Sequence, residues 1–101
     1  MRRLLLAALL GSCCVSLAAP TLPAEVRAFI DDRDGCDHFR GEPWSSGDDP
    51  DIKERREFIF ENIRKLCTGT DKRLASLRKK YRGNLTVLKQ LRQYEDTIER
   101  H

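Results

Sequence analysis

The sequence has few of the residues from which catalytic and metal sites are usually built. It contains two histidines, one tryptophan, one methionine and four cysteines among 101 residues. The paired spacings C-x-x-C and H-x-x-x-H are absent, which argues against a structural metal site and a thioredoxin-type redox centre. No G-x-S-x-G motif and no phosphate-binding loop occurs. Hydrolase or oxidoreductase chemistry is therefore not expected, and neither a cofactor nor a metal is predicted.

A long apolar run occurs only at the N-terminus. Residues 1–19 begin with Arg2 and Arg3, continue through an apolar stretch and end in small residues, which is the pattern of a secretory signal peptide. The stretch is shorter than the about 20 residues that a membrane-spanning helix needs. In the alternative, Cys13 follows Leu-Gly-Ser as in a lipoprotein signal and becomes the lipid-bearing mature N-terminus. The apolar and small residues 14–19 favour simple cleavage, and either interpretation predicts export.

The exported part divides its charge between two halves. Without Arg2 and Arg3 the formal net charge falls from +3 to +1. Residues 20–51 contain nine acidic residues and three arginines, whereas residues 52–101 contain fourteen basic and seven acidic residues. A mature chain of roughly 80 residues holds one modest core and often needs a covalent staple. We therefore expect a single domain over residues 20–101.

Cys36 and Cys67 are the only cysteines outside the leader. In an oxidising compartment they are expected to form a disulfide with each other, within one molecule or between two. An intramolecular bridge closes a loop of about 31 residues, which the chain-entropy treatment values at roughly 3.5 to 4 kcal/mol. A metal site made of Cys36, Asp37, His38 and Cys67 is the alternative, and the lack of paired ligand spacing disfavours it.

The first half of the mature chain predicts one helix and one long loop. Apolar residues at helical spacing favour a helix over residues 22–33, ended by a glycine. Frequent glycine, proline and serine then predict an ordered loop over residues 36–50. Its aromatic residues Phe39 and Trp44 are expected to dock partly on the core, with Phe58 of the next helix beneath the loop.

The second half predicts three further helices. Asp49 is the expected N-cap of a central helix that stops at a left-handed Gly69. Thr70 and Asn84 are expected to cap two more helices, the last with an apolar stripe that reaches Ile98. No strand pattern persists. The predicted fold is all-α, a small bundle of about four helices with one long loop, stapled by the disulfide.

The loop supplies the first candidate site. Tryptophan and arginine often dominate interfaces, so a recognition surface over residues 37–44 is the leading hypothesis; its members are Asp37, His38, Arg40, Glu42 and Trp44. A small-ligand or catalytic pocket on His38, Arg40 and Glu42 is the alternative, because histidine transfers protons near neutral pH. The structural interpretation is that Arg40 pairs with Asp37 or Glu42 and that His38 holds the loop.

The span 72–92 supplies the second candidate, with eight basic residues and no acidic one. Adhesion to anionic envelope components through this span is a third hypothesis, carried by Lys79, Lys80, Arg82 and Lys89. The alternative is a solvated exterior that complements the acidic half of the chain. The same complementarity would let two copies associate as a homodimer. Nucleic acid is not an expected partner of an exported chain.

Two segments carry a resemblance to a known set of proteins. CDHFRGE at residues 36–42 and NIRKLCTGTD at residues 62–71 resemble small uncharacterised exported proteins of proteobacteria, and the resemblance extends over most of the mature chain. It implies a periplasmic setting and transfers no catalytic or binding residue. We therefore expect a small periplasmic helical protein that binds an envelope protein or a second copy of itself.

Overall fold

Residues 21–99 are described by a computed structural model. They form four helices and no strand: α1 (Ala24–Arg40), α2 (Pro50–Cys67), α3 (Thr70–Lys80) and α4 (Leu85–Leu91). The predicted all-α class is thus confirmed. The signal peptide predicted over residues 1–19 lies outside the described residues. Within residues 21–99, no helix combines the length and the apolar character that crossing a membrane requires.

Helix α1 is longer than the sequence pattern predicts. The prediction of a loop over residues 36–50 is wrong at its start, because α1 continues to Arg40 and the loop begins at Gly41. Gly35 does not end the helix, and the helix stops where the Gly41 N–H bonds to two carbonyls of the last turn at 3.2 Å. A Cβ at position 35 would lie 3.0 Å from Leu66 Cδ1. Glycine at this position therefore lets α2 approach α1 closely.

The extension of α1 follows from its apolar stripe. Val26, Phe29, Arg33 and Cys36 are all buried, and their spacing places them on one side of the helix. The stripe therefore runs through Arg33 and past Gly35 to the cysteine. Because α1 continues to Arg40, Asp32 lies inside the helix, where it pairs with Arg73 of α3 at 2.8 Å.

A disulfide joins α1 to the end of α2. Cys36 and Cys67 are bonded within one chain, with their Cα atoms 5.0 Å apart, so the predicted bridge is confirmed as intramolecular. The alternative metal site with Asp37 and His38 requires both cysteines as thiolate ligands. In the disulfide, neither sulfur is a thiolate. Across residues 21–99, no three or more side chains of His, Cys, Asp or Glu form a group that could hold a metal ion.

The main core lies between α1, α3 and α4. Its buried side chains are Val26, Phe29, Leu74, Leu77, Val87 and Leu91. Phe29 makes an edge-to-face contact with Tyr94, their ring centroids 5.6 Å apart. Helix α2 contributes no residue to this cluster and packs on α1 outside it. The first half of α2 is therefore remote from the main core and is available for a surface role.

Two of the three predicted caps are confirmed. The Asp49 carboxylate accepts a hydrogen bond at 2.9 Å from the backbone N–H two residues on, and the Asn84 amide oxygen accepts one at 3.1 Å from the N–H three residues on. Gly69 is left-handed as predicted, with φ of 85°. The prediction that Thr70 caps α3 is wrong, because Gly69 occupies the cap position. The buried Thr70 hydroxyl instead donates to the carbonyl of Cys67 at 2.8 Å.

The last helix is shorter than predicted, because α4 ends at Leu91 and its apolar stripe does not continue helically to Ile98. Residues 92–99, the C-terminal strap, instead cross back to α1 and α3. Arg78 of α3 donates to the carbonyls of Leu91 and Tyr94, each at 3.1 Å. The Leu91 carbonyl also accepts from the Tyr94 N–H at 3.2 Å, so the chain leaves α4 in a tighter turn to which Arg78 is bonded.

Candidate recognition surface

The loop over residues 41–49 lies along the first half of α2, and residues 41–58 together are referred to as the tip. Two neighbouring arginines of α2 hold this loop. Arg56 Nη1 donates to the carbonyls of Ser45 at 2.9 Å and Gly47 at 2.6 Å. Arg55 pairs with the Glu42 carboxylate. The loop is therefore anchored on both sides of Trp44.

The loop also packs directly against α2. A small cavity of about 150 Å³ lies between them, lined by residues that include Pro43, Ile52 and Ile59. A Cβ at Gly47 would lie 3.0 Å from Ile52 Cδ1. Ile59, which lines this cavity, is only 3% exposed although it lies outside the main core. The close approach at Gly47 limits how far the loop can move.

Aromatic side chains stand out on the surface of the tip. The expectation that Trp44 docks on the core is wrong, because its side chain is 60% exposed. Phe58 is 50% exposed and contacts Phe39 of α1 edge to face, with centroids 5.7 Å apart. The Arg55 guanidinium lies 5.4 Å from the Phe58 centroid. Phe58 thus sits at the junction of α1 and α2, beside the loop and not buried beneath it.

His38 faces solvent at the end of α1. Its side chain is 66% exposed, and its Nε2 lies 3.9 Å from Glu42 Oε2, which is beyond hydrogen-bond distance. Its ring meets the edge of Phe39 with centroids 5.1 Å apart. The Glu42 carboxylate is engaged by Arg55. The protein therefore does not enclose His38 or desolvate it.

Arg40 turns away from His38 and Glu42. Its Nη1 donates to Asp37 Oδ1 at 2.8 Å and lies 3.5 Å from Glu95 Oε1 on the strap. The pairing of Arg40 with Asp37 was one of the structural interpretations of this segment. Arg40 also lines an open cavity of about 460 Å³ near the disulfide. The three residues of the predicted pocket thus do not converge on one point.

The four predicted basic residues, which lie in α3, in the turn after it and in α4, differ in their contacts. Lys79, Arg82 and Lys89 are exposed and form no ion pair with any residue of the range 21–99. Lys80 instead lies with its Nζ 2.5 Å from Glu25 Oε2. The three exposed residues are therefore available to a partner, while Lys80 is engaged within the chain.

Glu25 joins the start of α1 to the end of α3. Its carboxylate accepts hydrogen bonds from Lys80 Nζ and from the Tyr81 hydroxyl, both at 2.5 Å. The hydrogen bond from Lys80 lowers the pKa of Glu25, and the same carboxylate raises the pKa of Lys80 and of Tyr81. All three groups lie at the surface, so solvent weakens the pairing. The cluster orients α3 on α1.

Sequence reasoning missed the arginine that anchors the loop. Arg56 falls at i+4 from Ile52 and at i−3 from Ile59, which places it on the covered side of α2. A cation on that side needs acceptors, and the adjacent loop supplies them. That spacing was the available signal.

Neither a protein-family model, a curated protein nor a solved structure matches this chain.

Proposed function

We propose that this chain is a small periplasmic helical protein that works by binding another protein through its tip. The observation that carries the proposal is the exposure of Trp44. This residue is 60% exposed, and Arg56 binds the carbonyls of Ser45 and Gly47 in the same loop. An isolated large aromatic on an anchored loop has no role in the core of this fold. It is the residue type that most often contributes a large share of binding free energy.

The anchoring of the loop favours binding. Ordering a mobile loop on association costs conformational entropy, and a loop that is already ordered avoids most of that cost. Here the hydrogen bonds from Arg56, the pair between Arg55 and Glu42 and the close contact at Gly47 order the loop in advance. The tip therefore presents Trp44 in one arrangement before a partner arrives.

The pocket on His38, Arg40 and Glu42 receives less support. Proton transfer at neutral pH needs convergent groups, preferably shielded from water. His38 is 66% exposed, and Arg40 is turned toward Asp37 and the strap. Of the five residues predicted over 37–44, Trp44 is thus the one on which binding depends, with Phe58 added from α2.

The periplasmic location is supported by three features. The leader pattern at residues 1–19 predicts export, and the resemblance of residues 36–42 and 62–71 implies a bacterial envelope. The intramolecular disulfide adds the third, since disulfides persist in oxidising compartments. Lipid attachment at Cys13 remains the alternative to a cleaved leader.

Photo-crosslinking in cells tests the proposal. A photo-reactive phenylalanine analogue replaces Trp44 in the full chain, and the matched control carries it at Phe60. Phe60 is an equally exposed aromatic, 56%, whose ring lies under Arg64 of the same helix. We expect a discrete adduct from position 44 and none from position 60, identified by mass spectrometry.

The loop anchor provides the second arm of this experiment. Arg56→Ala removes both hydrogen bonds to the loop carbonyls and should reduce the adduct from position 44 several-fold while the disulfide still forms. Equal labelling from positions 44 and 60, or no adduct from position 44 in a correctly oxidised protein, would refute the proposal.

A further inference from the structure

The tip carries negative charge that its own chain does not neutralise. Its acidic residues outnumber its basic ones, six to three over residues 41–58. Five of these acids form no ion pair with any residue of the range 21–99, namely Asp48, Asp49, Asp51, Glu54 and Glu57. The Asp49 carboxylate caps α2, and the other four are exposed. The exposed Trp44 thus belongs to a tip with net negative charge.

The opposite charge is carried by the basic face. It is defined here as the exposed residues Lys79 of α3, Arg82 of the turn after α3, Leu85 and Lys89 of α4, and Arg92, which follows α4. None of its four cations has an ion-pair partner within the described part of the chain. The basic residues of this region that do pair with acids are others: Arg73 with Asp32, Arg78 with Asp96 and Lys80 with Glu25. Internal pairing therefore leaves both the tip and the basic face charged.

Each of these two charged surfaces contains at least one strongly exposed apolar side chain. Leu85 opens α4 and is 77% exposed, although the cap of that helix is made by Asn84 and needs no leucine beside it. Lys89 lies one turn further along the same side of α4. On the acidic tip, Trp44 is the corresponding exposed apolar side chain. An apolar anchor within a charged rim is the usual composition of a binding surface.

We infer that the partner of the tip is a second copy of this chain, which the tip contacts on the basic face. This inference rests on the proposed function and names its partner. The two surfaces have opposite charge, each offers an apolar anchor, and the mature net charge of +1 opposes self-association little. Because every copy carries both surfaces, two copies related by a two-fold axis can form the contact twice.

Charge reversal followed by mixing tests this contact. The tip variant is Asp48→Lys with Glu54→Lys, and the face variant is Arg82→Glu with Lys89→Glu; none of these residues caps a helix or pairs within the described chain. Each variant alone places like charges together at both contacts. In an equimolar mixture, one contact joins the two reversed surfaces and the other joins two native ones, so both are attractive.

Sedimentation of the oxidised mature protein gives the readout. We expect a dimer for the native chain at low salt, self-association at least roughly tenfold weaker for each variant alone, and recovery in the mixture. Raising sodium chloride from about 0.02 M to about 0.5 M should also weaken the native dimer. The emission of Trp44, the only tryptophan, should shift to shorter wavelength as the dimer forms.

Each outcome bears on the inference. A native chain that is monomeric at all concentrations, or a dimer that neither variant weakens, overturns it. Loss of association in both variants without recovery on mixing also overturns it. The proposed function fails separately: a monomeric chain that crosslinks from position 44 to a different envelope protein retains tip binding and loses only self-association, whereas a chain that does neither loses both.

Discussion

Asp71 and Glu99 each accept hydrogen bonds from the backbone at the other's position. The Glu99 carboxylate accepts from the N–H groups of Gly69 and Asp71, both at 3.0 Å, at the start of α3. The Asp71 carboxylate accepts from the N–H groups of Ile98, at 3.0 Å, and Glu99, at 2.9 Å. The strap therefore supplies the N-terminal cap that Thr70 was expected to provide. The C-terminal segment and α3 stabilise each other.

Removing the charge of Glu99 should weaken this cap. In Glu99→Gln a neutral amide replaces a carboxylate that faces two N–H groups and the positive end of the α3 dipole, so we expect a loss of about 1 to 2 kcal/mol in unfolding free energy. Urea unfolding followed by circular dichroism measures it. Glu95→Gln is the control on the same strap, since that side chain is 70% exposed. Equal effects of the two substitutions would contradict a specific cap.

Arg33 should be among the most sensitive positions of the chain. It is fully buried, and its Nη2 donates to the Glu95 carbonyl at 2.6 Å, which ties the strap to α1. Its Nε lies 3.6 Å from Asp37 and its Nη1 3.9 Å from Asp71, but neither atom has a hydrogen-bond acceptor. We expect Arg33→Ala to cost about 3 kcal/mol or more in unfolding free energy.

Arg33→Met separates packing from charge at this site. Methionine refills most of the space and leaves no buried cation without acceptors, so its cost should be clearly smaller than that of alanine. A methionine variant as unstable as the alanine variant would show that the tie to the Glu95 carbonyl is the larger contribution.

The disulfide should stabilise the fold without determining it. Replacing Cys36 and Cys67 together by alanine should lower the unfolding free energy by about 3 to 4 kcal/mol, because the bridge closes a loop of 31 residues. The helical signal should persist at low temperature, since the main core lies between α1, α3 and α4. Dithiothreitol added to the native protein should have a similar effect. An unchanged urea midpoint in the double variant would be incompatible with this role.

Tyr94 should make the protein sensitive to alkaline pH. The pKa of the Tyr94 phenol lies above its ordinary value of about 10. The larger cause is partial burial, and the second is the hydrogen bond that the phenol donates to Asp34 at 2.7 Å. The folded state then holds the phenolic proton more tightly than the unfolded state. The contribution is present in full below pH about 10 and is lost as the pH rises toward the folded-state pKa.

The variant Tyr94→Phe lacks this proton and tests its effect. Its urea midpoint should fall less steeply than that of the native protein above pH about 10, while the difference between the two stays constant at neutral pH. Parallel midpoint curves over the whole range would rule out a contribution from Tyr94.

Most of the fold was accessible from the sequence, because local signals determine it. The cap at Asp49, the left-handed Gly69 and the cap at Asn84 were each predicted from one residue type in its proper place. The ends of α1 and α4 were not, because tertiary contacts decide them. Gly35 is held within α1 by the approach of α2, and α4 stops where Arg78 binds the carbonyls of the turning chain.

The candidate site was predictable only in part. The sequence predicted Trp44 as a recognition residue of the loop, but the loop begins at Gly41, so Asp37, His38 and Arg40 belong to α1. The buried Arg33 and the loop-anchoring Arg56 both lie on apolar helix stripes. In the sequence, a charged residue at such a position appears only to break the apolar pattern. Their roles depend on carbonyls brought close by the fold, which single-sequence periodicity does not report.

The decisive property of the tip is that Trp44 is both exposed and held in place. Time-resolved fluorescence anisotropy of this single tryptophan, combined with iodide quenching, measures both properties in the oxidised mature protein. We expect strong quenching by iodide together with an anisotropy decay that follows the tumbling of the whole molecule, and a fast local decay in Arg56→Ala. A quencher-shielded indole, or a fast local decay already in the native protein, would contradict a preformed recognition surface at the tip.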